Sequence, residues 1–251
     1  MTTAQPYAVA TQELRLRENL SVWVPDAQCR LVVSQPALDR TLWDEYLDGA
    51  FRAYSKHGVQ CTLDPNASGG NDTRLFFAAV NMQGRVVGGA RVIGPLGSAE
   101  DSHAVVEWAG SPGLPAVRKM INDRVPFGAV ELKTAWVESG SDRRDPIAAA
   151  LARAIPLSMP LLDIQFVMGT AAAHALGRWC SSGAVIAEEI SAVAYPDERY
   201  RTMMYWWDRR TLANYAEPKQ WSRMLIESRK LMRHADALSV TTAAAPGTGS
   251  L

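Results

Sequence analysis

The sequence predicts an α/β fold with a mixed, mostly antiparallel central sheet and flanking helices. Three observations predict it: β-branched runs alternate with segments of helical periodicity, two adjacent apolar runs form a hairpin pattern, and a second such pair precedes a last amphipathic helix. Of the 251 residues, 47% are hydrophobic and 21% charged, which is typical of a globular domain. We expect one domain over residues 21–237, a flexible N-terminus over 1–20 and a disordered tail over 238–251.

Charge and composition limit the partners. Lys plus Arg and Asp plus Glu number 26 each, so no net field attracts nucleic acid. No apolar run approaches the roughly 20 residues that span a bilayer, and the N-terminus lacks the pattern of a signal peptide. Cys29, Cys61 and Cys180 are scattered without metal-ligand spacing. The sequence therefore predicts a cytoplasmic protein with no membrane span, no nucleic-acid partner and no metal.

The first half of the chain predicts a strand, a helix and a hairpin. These are "CRLVVSQ", then "PALDRTLWDEYLDGAFRAYSKHG" with an apolar stripe, then "RLFFAAVN" and "VVGGARVIG" around the turn "MQGR". Gly88 and Gly89 lie inside the second hairpin strand. A phosphate-binding glycine loop opens a helix instead, so this pair predicts a bulge or a close approach of another group.

The second half begins with an irregular stretch and then alternates strands and helices. The predicted elements are a helix near "LPAVRKMIND", a strand "GAVELKTAWVE", a helix from "RRDPIAAALARAI", a strand "LLDIQFVM", a helix "TAAAHALGRWCSSG", strands "AVIAEEISAVAY" and "YRTMMYWWD", and a final helix over about 217–237.

This order of elements, over roughly residues 28–209, resembles the GCN5-related N-acyltransferase (GNAT) superfamily. The resemblance implies an acyl-CoA N-acyltransferase fold, in which the fourth strand splays from the fifth and the pantetheine arm of acyl-coenzyme A (acyl-CoA) lies in the gap. The family's pyrophosphate motif is Q/R-x-x-G-x-G/A, and "RRDPIA" stands in its place. Arg143 and Ala148 match the motif, whereas Pro146 replaces the central glycine. The resemblance thus implies donor binding by Arg143, Arg144 and Ala148.

Within the superfamily, the chain is similar to the branch of acyl-homoserine lactone synthases and N-acyl amino acid synthases. The pointers are "GGAR", the acidic loop "TLDP", and a long insertion before "GAVELKTAWVE". Arg91 and Glu131 match that branch, which implies that Arg91 binds substrate. Thr134 stands where the lactone synthases have an arginine, so the match does not favour lactone synthesis.

Acyl transfer to an amine requires a base, a polarised carbonyl and a protonated leaving group. Glu131 is the candidate base, since burial on a central strand raises the pKa of a carboxyl. A backbone N–H near Trp136 or Val137 is the candidate oxyanion donor. His174 and Tyr195 are candidate acids, although a histidine on an apolar helix, such as His174, is more often a core residue.

The sequence therefore predicts an N-acyltransferase that moves an acyl group from acyl-CoA, or from acyl-carrier protein, to the amine of a small-molecule acceptor. The alternative is a catalytically silent relative of the same fold that binds a ligand or a partner protein. Pro146 and the absence of a tyrosine from the predicted helix "TAAAHALGRWCSSG" favour that alternative. A homodimer is left open.

Overall fold

The computed structural model describes residues 14–65, 67–140 and 142–240, with side chains as far as residue 233. The strands are β1 Leu20–Val24, β2 Cys29–Ser34, β3 Thr73–Asn81, β4 Val86–Ile93, β5 Ala129–Val137, β6 Phe166–Ala172, β7 Val185–Ile186, β8 Val193–Ala194 and β9 Arg201–Asp208. The α-helices are α1 Arg40–Lys56, α2 Ala104–Glu107, α3 Leu114–Asn122, α4 Arg144–Ala154, α5 Ser158–Leu162, α6 Leu176–Ser181, α7 Leu212–Tyr215 and α8 Pro218–Val240.

The strands form one nine-stranded sheet in the order β1-β2-β3-β4-β5-β6-β9-β7, with β8 paired to β9. Only the pairing of β5 with β6 is parallel within the described residues, and the other pairs are antiparallel. The predicted mixed, mostly antiparallel sheet is therefore confirmed. Of the helices described, none combines the length and the apolar character needed to cross a membrane.

The sheet opens between β5 and β6. Their pairing ends at Glu131 and Met168, while β5 continues to Val137 and β6 to Ala172. Farther along β5, Trp136 pairs with Gly89 and Lys133 with Arg91, so β5 carries one extra residue opposite β4. Thr134, inside this bulge, has a φ of +51°. The bulge turns the end of β5 away from β6, because it adds a residue and increases the local twist.

Gly88 and Gly89 allow helices to approach both faces of the sheet. A Cβ on Gly89 would lie 2.6 Å from the Phe77 carbonyl oxygen and 2.6 Å from Cδ2 of Tyr46 in α1. A Cβ on Gly88 would lie 3.1 Å from Ile147 in α4. Successive strand residues point to opposite faces, so α1 and α4 pack on opposite faces of the sheet. The predicted close approach is confirmed at both glycines.

Gly89→Ala should destabilise the protein by about 1–3 kcal/mol, because the new methyl group overlaps a carbonyl oxygen that the β3–β4 ladder holds in place. Gly177→Ala is the matched control, since a Cβ there meets nothing within 4 Å and the residue lies in α6. Alanine should be neutral or slightly stabilising at that helical position. Urea unfolding measures both variants, and equal stabilities would contradict the close approach at Gly89.

Several predicted boundaries are wrong. The predicted helix over 170–183 begins instead as the end of β6, passes through a 3-10 turn at Ala173–Ala175 and leaves only α6 as α-helix. Residues up to 172 are strand because they pair with β9. The predicted strand over 184–195 is two short strands, β7 and β8, since only their few residues reach β9. The predicted final helix is confirmed as α8.

The N-terminal segment adds a strand that the sequence did not predict. Leu20, Val22 and Val24 of β1 face the core, and the strand pairs with β2. Before it, the Gln35 side chain accepts a hydrogen bond from Leu16 N–H at 2.8 Å and donates one to Leu14 O at 3.0 Å. The predicted flexible segment 1–20 therefore lies against the sheet from residue 14 on. Residues 1–13, and 241–251 of the predicted tail, lie outside the described residues, and the domain limits stay a prediction.

Candidate active site

A cavity of about 490 Å³ lies where β5 and β6 separate, and it is lined from both faces of the sheet. On the α4 face its wall includes Arg144, Ala148, Leu151 and Trp179, and on the opposite face Tyr54, His103, Glu107 and Tyr195. Trp136 and Val137 of β5 line it between these two sets. The opening in the sheet thus joins two differently composed half-sites.

The start of α4 supplies the half-site that the resemblance assigns to the donor. Arg144 and Ala148, which the resemblance assigns to donor binding, line the cavity, whereas Arg143 does not; its Nη1 lies 3.4 Å from the Asp26 carbonyl oxygen. Pro146 is the third residue of α4 and has no N–H to offer. Arg178 of α6 also lines this part, and its Nη2 lies 3.1 Å from Oδ1 of Asp145, the residue after Arg144.

Glu131, the predicted base, is fully buried and is not part of the cavity wall. Its Oε2 accepts a hydrogen bond from the backbone N–H of His103 at 2.9 Å, and its Oε1 lies 3.9 Å from Nζ of Lys133. Burial raises the pKa of this carboxyl, and the neighbouring Lys133 partly offsets the rise. The structure therefore places Glu131 beneath the loop that carries His103.

Glu107, at the end of α2, is the carboxyl that faces the cavity. Its Oε1 accepts a hydrogen bond from Oγ1 of Thr170 at 3.0 Å, and its Oε2 is buried without a hydrogen-bond partner among the described residues. Burial raises the pKa of Glu107 to about 7, with Lys133 opposing the rise. A carboxyl in this state exchanges protons near neutral pH, as a general base must.

His103 and Tyr195 lie beside Glu107. Nε2 of His103 is 2.8 Å from the Tyr195 hydroxyl and 3.9 Å from Oε1 of Glu107. Burial, with Lys133 as the next cause, lowers the pKa of His103 to about 4. Burial and the charge of Glu107 raise the pKa of Tyr195 to about 12. The imidazole and the phenol are therefore both neutral at pH 7.

His174 also lines the cavity, at the end nearer α6. It is exposed, and its ring centroid lies 6.4 Å from that of Tyr200. The interpretation of His174 as a core residue is wrong, because the segment is a 3-10 turn at the cavity wall rather than part of an apolar helix. Of the predicted acids, Tyr195 is the one that the structure brings to Glu107.

Arg91 is buried outside the cavity wall. Its Nη1 donates to Asp72 at 2.8 Å and to Oγ1 of Thr73 at 2.8 Å, and its Nη2 lies 3.5 Å from Asp64. These partners join β4 to the segment before β3. The predicted role of Arg91 in substrate binding stays a prediction, and the contacts show a structural one.

Relatives by sequence are known in mycobacteria. The uncharacterized proteins Rv1356c of Mycobacterium tuberculosis and Mb1391c of Mycobacterium bovis are each 74% identical to this chain over 248 residues, which is 98% of this chain and 94% of theirs. The chain belongs to one family with these mycobacterial proteins. No family model matches the sequence.

Solved structures show the fold of this family. The N-acyl amino acid synthase FeeM from uncultured soil microbes is similar with a TM-score of 0.53 and 14% identity, over 77% of this chain and 98% of that one. The AHL synthase LasI is similar with a TM-score of 0.51 and 12% identity, over 74% of this chain and 96% of that one. The family has the GNAT-like acyl-CoA N-acyltransferase fold, as the resemblance predicted.

The sequence pattern did not reveal the residues that this chain places around Glu107. His103 and Glu107 lie in the stretch that was predicted as irregular, although their spacing of four residues within "SHAVVEW" was an available signal for one helix face. Thr170 and Lys133 carried no comparable signal. Among the described residues, no group of three or more His, Cys, Asp or Glu side chains is arranged to hold a metal ion.

Proposed function

We propose that the protein is an N-acyltransferase that transfers an acyl group from acyl-CoA, or from acyl-carrier protein, to the amine of a small-molecule acceptor. The observation that carries the proposal is the cavity through the β5–β6 opening, with Arg144 on one face of the sheet and Glu107 on the other. A cationic group that suits the anionic acyl donor and a carboxyl that suits an amine losing its proton thus line the same opening.

The donor half-site fits a phosphate-bearing thioester in part. The first turn of α4 presents the positive end of the helix dipole, and Arg144 and Arg178 add charge beside it. Ile147 N–H is already bonded to the Arg143 carbonyl oxygen, and Pro146 has no donor, so the arginines carry more of the anion binding than in a glycine-containing motif. Ala148, Leu151 and Trp179 provide an apolar wall for the thioester arm.

The acceptor half-site supplies a base. Deprotonating an amine with a pKa of about 10.4 costs about 4–5 kcal/mol at pH 7, whereas an α-amine near 8 costs about 1 kcal/mol. Glu107 lines the cavity and, with a pKa of about 7, is the group that takes the amine proton. Backbone N–H groups near Trp136 and Val137 are the proposed donors to the thioester oxygen, and Glu131 positions His103 through the backbone.

The test is release of coenzyme A, read with a thiol-reactive dye. Acetyl-, octanoyl- and palmitoyl-CoA are each combined with a panel of primary amines, acyl-carrier protein is tried as a second donor, and the amide is identified by mass spectrometry. We expect release that requires both donor and amine. Acyl-CoA should also raise the free energy of unfolding by about 2.7 kcal/mol at a hundredfold excess over Kd. Binding without turnover would indicate the silent relative, and no binding would contradict the donor half-site.

Arg144→Ala should weaken coenzyme A binding about tenfold. The effect is smaller than for a buried charge pair, because Arg144 is exposed and solvent screens its charge. Arg143→Ala is the matched comparison, since Arg143 does not line the cavity, and its effect should be less than about twofold. Calorimetry gives both dissociation constants. A larger effect of Arg143→Ala would favour the motif match over the geometry.

A further inference from the structure

Two side chains, one from the same helical turn and one from a distant segment, lie close to Nε2 of His103. The Tyr195 hydroxyl lies 2.8 Å from it and Oε1 of Glu107 lies 3.9 Å from it. Oε1 of Glu107 accepts a hydrogen bond from Thr170 at 3.0 Å, and its Oε2 is buried without a hydrogen-bond partner among the described residues. Glu107 and Tyr195 therefore face the same cavity and share one intermediate neighbour.

His103 is fixed at both its backbone and its ring. Its N–H donates to the fully buried Glu131 at 2.9 Å, and its ring meets the Tyr195 ring edge-on, with centroids 5.8 Å apart at 72°. A substitution at position 103 keeps the hydrogen bond to Glu131, because its donor is the backbone N–H. The function of the imidazole can thus be removed without removing this anchor.

Amide formation from a thioester moves one proton. The C–N bond forms, the C–S bond breaks, the amine nitrogen loses a proton and the departing thiolate gains one. Resting on the proposed function, we propose that Glu107, His103 and Tyr195 form a single relay for this proton. Glu107 takes it from the amine and passes it to Nε2 of His103. Tyr195 gives its own proton to the sulfur and is reprotonated from Nε2, so all three groups end as they began.

The surroundings of His103 suit a group that holds the proton only in passing. Lys133 and Glu131 face it from β5, Arg91 from β4, Asp64 from the segment before β3 and Glu107 from α2. Burial and Lys133 keep the ring neutral at pH 7. The 3.9 Å separation from Glu107 exceeds a hydrogen bond, and the relay requires that it shorten when substrate binds, as catalytic hydrogen bonds often do.

The leaving group tests the relay. Acetyl-CoA releases an alkyl thiolate that needs a proton, whereas phenyl thioacetate releases an acidic aromatic thiol that does not. Hydroxylamine serves as the acceptor and its hydroxamate is measured by the colour of the iron complex. With acetyl-CoA, His103→Gln and Tyr195→Phe should each lower kcat at least about thirtyfold, with KM for the donor within about threefold. With phenyl thioacetate, the same variants should lose less than about threefold.

Tyr215→Phe, an exposed tyrosine of α7 outside the cavity wall, is the matched control and should be unchanged. If His103→Gln does not fold, as judged by thermal unfolding, His103→Asn and the near-isosteric Tyr195→Phe decide the question. Equal losses with the two donors, or no loss with acetyl-CoA, would overturn the relay while leaving the acyltransferase intact. A parent protein that transfers an acyl group from none of the donors, the longer acyl-CoA thioesters and acyl-carrier protein included, to hydroxylamine or to the amine panel would instead remove the proposed function and the relay with it.

Discussion

Glu107→Gln should lower acyl transfer to an alkyl amine at least about 100-fold at pH 7, while the affinity for acyl-CoA stays within about twofold. The amide keeps the size of the side chain and its hydrogen bond from Thr170, but it cannot accept a proton. The turnover of the parent should rise as pH passes through about 7, where Glu107 ionises. At higher pH the amine deprotonates unaided, so the deficit of the variant should shrink.

Glu131→Gln is the informative comparison, because Glu131 is the base that the sequence favours. Its carboxyl lies outside the cavity wall and accepts the His103 N–H, which a glutamine oxygen also does. Its loss of turnover should therefore be several-fold smaller than that of Glu107→Gln. A pH–rate profile from pH 6 to 9 measures both variants, and the reverse order of effects would return the role of base to Glu131.

Glu107→Gln should also change how the free energy of unfolding depends on pH. The pKa of Glu107 is higher in the folded protein than its ordinary 4.5, so the protonated carboxyl contributes stability below about pH 4.5, and this is lost as pH rises through about 7. Glutamine stays neutral, so Glu107→Gln should gain about 3 kcal/mol relative to the parent between pH 4 and pH 8. Urea unfolding at the two pH values measures the gain, and a pH-independent difference would contradict the raised pKa.

Arg153→Met should lower the free energy of unfolding by about 3–5 kcal/mol. Arg153 of α4 is 1% exposed and binds Glu227 of α8 through two hydrogen bonds of 2.7 and 2.9 Å. A third, of 2.8 Å, joins it to Gln220. Methionine fills similar space, but it leaves the carboxylate of Glu227 buried without a cation, and the contact between α4 and α8 depends on this group.

The matched control is the double variant Arg153→Met with Glu227→Met, which removes both charges. Because burying a charge pair costs nearly as much as its attraction returns, the double variant should recover most of the stability that Arg153→Met loses. Urea unfolding, followed by tryptophan fluorescence, compares the parent with both variants. A double variant as unstable as the single one would show that the arginine acts through packing and not through its partner.

The sequence by itself determined the order of the main strands and helices from β2 to α8, and with it the fold. The apolar runs of β3 and β4 and the alternation of β5 are local patterns, and adjacent elements pair where the chain between them is short. Gly88 and Gly89 likewise predicted, from the local sequence, that other groups pack closely against β4. Local pattern was weaker where strands are short, as in β7 and β8, because a few residues at the edge of β9 leave no periodicity to detect.

Only the tertiary structure decided the candidate site. Glu131 matched a pattern, yet its position on β5 turns it toward the backbone of His103, and a residue of the inserted segment faces the cavity in its place. His103 and Tyr195 are 92 residues apart in the chain and 2.8 Å apart in space. Such a contact arises when segments that are distant in the chain converge at the β5–β6 opening. Composition and residue spacing do not predict that these segments converge. The burial and direction of each side chain depend on the residues from other parts of the chain that pack against it.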